Sequence, residues 1–294
     1  MEQLAQTVIL GLLIGGVYAL MASGLTLVFG VMRIVNVAHG AMLIAAAMIT
    51  WYVWSVSGID PFLIAIPMTL VMFGVGWLLY RTVISRIQGA SVSMSVLLTF
   101  GIALTIEGLL NVIAGNRFRS ATPSYFDESF RLGDLVFPKT QVFGAAVAMV
   151  TLGVLFLVLT RTWTGRAIRA TSQNPTGAAL IGVSSSSVAA LAFAIGMSTA
   201  GVGGSILSVL YPFFPASHYD WIARLLGIVV LGGMGSLSGA FIGALCLGLA
   251  ETLTSTYISL QWSTLVVYLV ILVVLLVRPQ GLFGSQLRED AVAA

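Results

Sequence analysis

Long apolar runs separated by short polar stretches extend along almost the entire chain. Runs of about 20 apolar residues match the length of an α-helix that crosses the hydrocarbon core of a bilayer. The pattern therefore predicts an all-α fold, a polytopic bundle of transmembrane helices. The predicted spans are residues 6–29, 37–56, 61–80, 94–114, 141–160, 187–211, 223–257 and 261–277.

The seventh run is too long for a single crossing. Within it the stretch Gly232–Gly239, with the sequence GGMGSLSG, interrupts the apolar helix. Irregular backbone at membrane depth is tolerated where it is buried in protein or lines a cavity. We therefore expect a broken or re-entrant segment followed by a full span, giving eight or nine crossings. The candidate helix-break residues are Gly232, Gly233, Gly235 and Ser236.

Composition supports a membrane protein and excludes several other classes. Hydrophobic residues make up 59% of the 294 positions and charged residues 8%, against about 25% charged in soluble domains. The 13 Lys and Arg residues are scattered singly, which argues against a nucleic-acid-binding surface. Cys246 is the only cysteine, so the chain forms no internal disulfide, and we expect this side chain to be packed inside.

Basic residues predict the orientation of the bundle, because cytoplasmic loops of membrane proteins carry an excess of Lys and Arg. An external N-terminus places most of the arginines between spans inside the cell. Nine crossings place the C-terminus inside too. The cytoplasmic set is then Arg33, Arg81, Arg86, Arg161, Arg166, Arg169, Arg278 and Arg288. We thus expect one transmembrane domain over residues 1–294, with an external loop at 115–140 and a cytoplasmic loop at 161–186.

Polar residues beside the apolar runs are candidates for the solute path. Asn36 and His39 lie in the stretch Phe29–Gly40, FGVMRIVNVAHG, between the first two spans. This stretch is either a short turn among lipid headgroups or a helix break that lines a path, as in transporters. Glu107 lies inside an apolar run and is open to both interpretations. Glu251 is nearer a span end, which favours a structural bond to a neighbouring helix.

The loop Arg161–Val183, RTWTGRAIRATSQNPTGAALIGV, contains three arginines and no acidic residue. The segment after Asn174-Pro175 is typical of a short helix that is capped at Asn174 and ends near Gly182. A short helix between spans is what a permease presents to a cytoplasmic partner. The candidate docking residues are Arg166, Arg169, Asn174, Pro175, Ala179 and Gly182.

Four stretches together resemble the signatures of LivH-type permease subunits of bacterial branched-chain amino acid ABC transporters. They occur in the same order and with similar spacing, so the resemblance covers essentially the whole chain. The four are FGVMRIVNVAHGAM, GRAIRATSQNPTGAALIGV, GGMGSLSGAFIGA and the closing VRPQGLFG of residues 277–284.

The resemblance implies a permease subunit of an ABC importer in the bacterial inner membrane, transporting branched-chain or other hydrophobic amino acids. Its expected partners are a second permease, two cytoplasmic ATPase subunits and an extracytoplasmic solute-binding protein, together with the lipid bilayer and no nucleic acid. The loop around Arg166–Gly182 would then dock the ATPase. No Walker-A pattern occurs in the sequence, so we expect no cofactor in this chain and ATP on the partner subunits.

Other functional classes fit the sequence less well. An ion-coupled secondary transporter of a small polar solute, using Glu107 or His39, is the main alternative, and an ABC permease for urea or short amides is another. A self-sufficient carrier has no use for a basic docking loop. An intramembrane enzyme is not favoured, because the chain has no GxSG-type motif and no aspartate pair within its spans. A channel lacks an acidic ring or filter repeat.

Overall fold

A computed structural model describes residues 2–87 and 89–283 of the protein. Most of this part of the chain is helical, and eight of its helices are long and apolar enough to cross a membrane. The fold class predicted from the sequence is therefore confirmed. The helices are α1 (Glu2–Met32), α2 (Ala38–Ser57), α3 (Pro61–Thr82), α4 (Val92–Ala114), α5 (Lys139–Arg161), α6 (Trp163–Gln173), α7 (Pro175–Leu180), α8 (Ser185–Leu210), α9 (His218–Gly232), α10 (Leu237–Tyr257) and α11 (Leu260–Val277).

The long seventh run is divided as the glycine-rich interruption predicts. It becomes the short helix α9, a break at residues 233–236, and the full-length helix α10. Gly232 of α9 packs against Gly239 of α10, and Ile228 lies close to Gly243 one turn further on, so the two helices are antiparallel. Among the described residues, the short helix α9 therefore packs within the bundle beside the eight long helices, whereas the short helices α6 and α7 belong to the loop after α5.

Helices α1 and α8 form the centre of the bundle, where small residues allow close approach. Gly24 of α1 faces Gly196 of α8, and a Cβ on Gly196 would lie 2.9 Å from the Gly24 carbonyl oxygen. Gly204 of α8 lies against the backbone of α2 at Leu43. The glycines of these helices thus act as packing surfaces.

Successive membrane helices alternate in direction through the bundle. Helix α1 runs antiparallel to α10, since Gly11 faces Leu249 while Gly30 faces Gly235. Alternation places the ends of α1, α3, α5, α9 and α11 together, at the same end as the loop 162–184. The basic loops that the sequence assigns to the cytoplasm thus share one end of the molecule.

The loop between α4 and α5 forms a lid at the opposite end. It contains a short antiparallel hairpin of β1 (Ser129–Leu132) and β2 (Leu135–Pro138), a small exception to the all-helical expectation. Tyr125 donates a hydrogen bond to Asp60 at the start of α3. Burial and this bond to the carboxylate raise the pKa of Tyr125 above its ordinary value. The hydroxyl therefore stays protonated and ties the lid to α3.

Candidate functional site

The chain between α1 and α2 turns back into the bundle. Helix α1 ends at Met32, and Arg33 takes a left-handed backbone conformation with φ of 53°. The Thr99 hydroxyl of α4 donates to the Val35 carbonyl at 3.2 Å and accepts from the Val37 amide at 3.1 Å. A side chain of α4 thus satisfies backbone groups that the helix break leaves without helical partners.

Helix α2 begins beside the middle of α1, not beside its end. The His39 Nε2 atom lies 3.0 Å from the Met21 carbonyl oxygen, about three turns before α1 ends. Asn36 is 1% exposed and His39 is fully buried. Both side chains therefore lie within the helix bundle and not in a turn among headgroups.

Four polar side chains lie on neighbouring elements here, and we call Asn36, His39, Glu107 and His218 the α2–α9 polar cluster; of these, Glu107 and His218 are in direct side-chain contact. Glu107 of α4 bonds His218 at the start of α9, with 2.9 Å between Oε2 and Nε2. His218 also adjoins the start of α2, because a Cβ on Gly40 would lie 2.8 Å from the His218 carbonyl oxygen. The first residues of α2 and α9 therefore lie together, and His218 pairs there with Glu107.

The α2–α9 polar cluster has unused hydrogen-bonding capacity. Among the described residues, neither amide atom of Asn36 and neither Nδ1 atom of His39 and His218 has a hydrogen-bond partner. Burying a polar group without a partner is costly, and such groups in native proteins call for an explanation. A polar solute or water at this place would supply the missing partners.

A second set of polar side chains lies further along α9. Arg224 of α9 pairs with Glu251 of α10, with Nη1 at 3.1 Å from both carboxylate oxygens. Tyr18 of α1 donates to Glu251 Oε2 at 2.7 Å, and its hydroxyl lies 3.1 Å from that of Tyr211. Glu251 therefore makes the bond to a neighbouring helix that the sequence indicated. Analysis of the sequence missed Arg224 and the role of His218, although Arg224 is a single charge inside an apolar run.

A cavity of about 700 Å³ opens on another side of α1, near the end of the bundle that carries the loop 162–184. Three of the signature stretches contribute to its walls, through Gly30, through Arg169 and Ser172, and through Gly235 and Ser238. The rest of the lining is mostly apolar and comes from α1, α5 and α10. Asn36, His39 and Glu107 are not among its lining residues, so the polar cluster and the cavity are separate features.

The helix break at residues 233–236 lies at the same end of the bundle as this cavity. Gly233 and Gly235 both have positive φ, of 101° and 86°, and Ser236 caps α10 by accepting from the Gly239 amide at 3.1 Å. The end of α1 adjoins this break, because a Cβ on Gly235 would lie 3.3 Å from the Gly30 Cα. The second interruption is thus in contact with the last turn of the helix that precedes the first.

The closing signature stretch packs against the end of α9. The Leu282 amide donates to the Leu231 carbonyl at 2.8 Å, and the Phe283 amide donates to the Gly232 carbonyl at 3.1 Å. These bonds satisfy two of the carbonyls that a helix end leaves free. Gly284, the last residue of the stretch, and Arg288 lie outside the described residues.

The loop after α5 contains two short helices where the sequence predicted one. The predicted helix is α7, whose cap Asn174 accepts from the Gly177 amide at 2.8 Å. It ends at Leu180. Gly182 follows with φ of 82°, and the Val183 amide donates to the Ala178 carbonyl, which completes a glycine C-cap. The helix that the sequence analysis missed is α6, which is amphipathic and buries Ala167 and Ile168.

The exposed residues of this loop form the surface available to a partner. Arg166 is exposed, and Arg169 reaches back to donate to the Leu159 carbonyl of α5. Pro175 and Ala179 are exposed. Beside them Leu180 is 84% exposed and Ile181 is 77% exposed. Two large apolar side chains thus project beyond the bundle, and the sequence analysis did not single them out.

Thiol labelling tests whether the polar cluster changes its access to water. Cys246 is exposed on α10, so the prediction that it is packed inside is wrong, and it must first be replaced by serine. We expect a cysteine at Asn36 or His39 to change its reactivity with a membrane-impermeant thiol reagent between nucleotide states. Leu109→Cys, on the outward face of α4, is the matched control and should show no change. Equal reactivity of Asn36→Cys and His39→Cys in every state would remove these residues from the path.

Comparisons with known proteins match nearly the whole chain. Residues 7–275 match the family described as "Branched-chain amino acid transport system / permease component". The chain is 29% identical over 288 residues to the high-affinity branched-chain amino acid transport system permease protein LivH of Salmonella typhimurium, covering 93% of each chain. It is 27% identical over 293 residues to the corresponding protein BraD of Pseudomonas aeruginosa, covering 95% of each. No solved structure matches the chain.

Proposed function

The chain belongs to the family of branched-chain amino acid transport permease components, and from this premise we propose how it works with its partners and where the solute passes. It is a multi-pass permease subunit of an ABC importer in the inner membrane. The proposed assembly pairs it with a second permease, two ATPase subunits that bind ATP, and an extracytoplasmic solute-binding protein. The proposed solutes are leucine and similar apolar amino acids.

We propose that the α2–α9 polar cluster borders the solute path. Its support is the single observation that, within residues 2–87 and 89–283, Asn36, His39 and His218 are buried with side-chain atoms that lack hydrogen-bond partners. Broken helices at membrane depth present such groups to the solute in transporters. Glu107 would keep His218 oriented through their 2.9 Å bond. Two separate helix beginnings at this place allow small helix movements to open or close the path.

We further propose that α7 docks the ATPase and that α6 transmits the movement. The support for docking is the exposed pair Leu180 and Ile181 at the end of a rigidly capped helix. The support for transmission is that Arg169 and Ser172 of α6 line the same cavity as Gly30 near the end of α1 and Gly235 in the break before α10. A displacement of α6 would therefore change the shape of a cavity that the end of α1 and this break both border.

The isolated chain should neither hydrolyse ATP nor move leucine. The purified protein is reconstituted alone in proteoliposomes and supplied with ATP inside and radiolabelled L-leucine outside. We expect background hydrolysis and background uptake, because the work of transport is assigned to partner subunits. Leucine accumulation by this single chain, driven by a proton or sodium gradient, would contradict the ABC assignment and support an ion-coupled carrier.

A further inference from the structure

The pair formed by Arg224 and Glu251 lies within membrane helices, where charge is costly. The side chains are each 16% exposed, so the pair is not sealed inside the bundle. Charged groups in membrane helices pair with one another or face a water-filled cavity or the bundle interior. The exposed edge of this pair therefore faces water or a partner subunit and not lipid.

The surroundings of the pair combine hydroxyl groups with aromatic surfaces. The Tyr18 hydroxyl lies between the two charges, accepting from Arg224 and donating to Glu251. The Trp221 ring packs edge to face against Tyr18 and Tyr211, with centroid distances of 6.0 and 5.1 Å. The Arg224 guanidinium lies 5.3 Å from the centroid of the Trp221 ring. A positive group, a negative group and an apolar surface thus occur side by side.

We propose that Arg224, Glu251 and the rings of Tyr18, Tyr211 and Trp221 form a recognition site for the zwitterionic amino acid, an inference that rests on the proposed function. The α-carboxylate of the solute accepts hydrogen bonds from Arg224, and its α-ammonium group donates to Glu251. The apolar side chain packs against Trp221. When no solute is bound, the two charges of the site neutralise each other.

This arrangement selects zwitterions over ions that carry one charge. A zwitterion that separates Arg224 from Glu251 gives each of them a new partner, so no charge is left unpaired. A carboxylate alone would leave Glu251 without an oppositely charged partner, and an amine alone would leave Arg224 without one. An unpaired charge that is largely buried between membrane helices is strongly unfavourable. The pair therefore discriminates by charge type as well as by affinity.

The location on α9 connects the site to the rest of the mechanism. Arg224 and Trp221 are within two turns of His218 in the α2–α9 polar cluster. The other end of α9 is Gly232, at the helix break and beside the closing stretch. Occupation of the site would therefore act on a short helix whose two ends adjoin the path and the cytoplasmic break.

Competition binding tests the proposal on the assembled permeases and ATPases, without the solute-binding protein. The probe is radiolabelled L-leucine, and the competitors are L-leucinamide, which keeps only the positive charge, and 4-methylpentanoate, which keeps only the negative charge. With the native chain, each competitor should bind at least about tenfold more weakly than L-leucine. Glu251→Gln should raise the affinity for 4-methylpentanoate relative to that for leucine, and Arg224→Gln should raise the affinity for leucinamide relative to that for leucine. A purely structural ion pair would not produce these opposite shifts.

Two further variants complete the test. Glu128→Gln removes the acid of the ion pair with Lys139 in the outer loop and, as the matched control, should leave every ratio unchanged. Tyr18→Phe keeps both charges and should weaken leucine binding about three- to tenfold; it decides the question if the charge variants fail to assemble. If the folded charge variants keep the native ratios of competitor affinity to leucine affinity, the proposed site is overturned. If the charge variants do not assemble, native leucine affinity in Tyr18→Phe overturns it instead. Absence of ATP-dependent uptake by the native importer would instead overturn the proposed function.

Discussion

Replacing Leu180 and Ile181 together with aspartate should abolish association with the ATPase subunits and leave the bundle inserted in the membrane. The two side chains are 84% and 77% exposed at the end of α7. An apolar patch that projects into water is the usual centre of a docking surface. Two aspartates would place charges in that contact, and we expect the loss of solute-stimulated ATP hydrolysis along with co-purification.

The matched control uses the same kind of change, from leucine to aspartate, in the loop between α4 and α5. Leu132 is 73% exposed in the hairpin at the opposite end of the molecule, so Leu132→Asp should leave association and coupled hydrolysis unchanged. Ala179→Trp is a second probe of the docking surface, because Ala179 is exposed on α7. Gly182→Trp should also block docking, but the positive φ of Gly182 means that it disturbs the helix end as well. If the double aspartate variant retains its ATPases, the docking surface lies elsewhere.

Gly239→Ala should strongly destabilise the bundle. A Cβ at Gly239 would lie 2.8 Å from the carbonyl carbon of Gly232 and closer still to the carbonyl oxygen. Both obstructing atoms are backbone, so no side chain can move aside, and α9 must separate from α10. Overpacking costs about 1–3 kcal/mol and sometimes more, and we expect the upper end of that range.

The measurement is the thermal unfolding of the purified protein in detergent, compared with Gly108→Ala on α4. A Cβ at Gly108 would meet no atom within 4 Å, and alanine favours the helix over glycine. The control should unfold at the native temperature or slightly above it, while Gly239→Ala unfolds well below it. Equal unfolding temperatures would mean that the contact between α9 and α10 is not essential to the fold.

The helices themselves could be predicted from the sequence because bilayer thickness fixes the length of a span. The break at Gly232–Gly239 and the cap at Asn174 were also predictable, since glycine clusters and Asn-Pro pairs act locally. Helix α6 was missed because its apolar positions are few and are interspersed with Arg166 and Arg169. Cys246 was placed inside wrongly, since an apolar run around a residue does not show which face of a helix is outward.

The pairings of the candidate site could not be read from the sequence. Glu107 meets His218, and Arg224 meets Glu251, only because the three helices α4, α9 and α10 pack together. A single charge in an apolar run indicates that a partner is needed but not which residue provides it. The proposal that Asn36, His39 and Glu107 border the path therefore remains a prediction that the labelling experiment tests.

ATP-dependent uptake of L-leucine by the complete set of subunits is the most direct test of the central claim. The chain is reconstituted with its second permease and both ATPases, and the solute-binding protein is supplied outside with radiolabelled L-leucine. We expect leucine to accumulate only with ATP on the ATPase side, and accumulation to cease when the Walker-A lysine of the ATPases is replaced. Accumulation that continues without ATP, or without the ATPase subunits, would contradict the account.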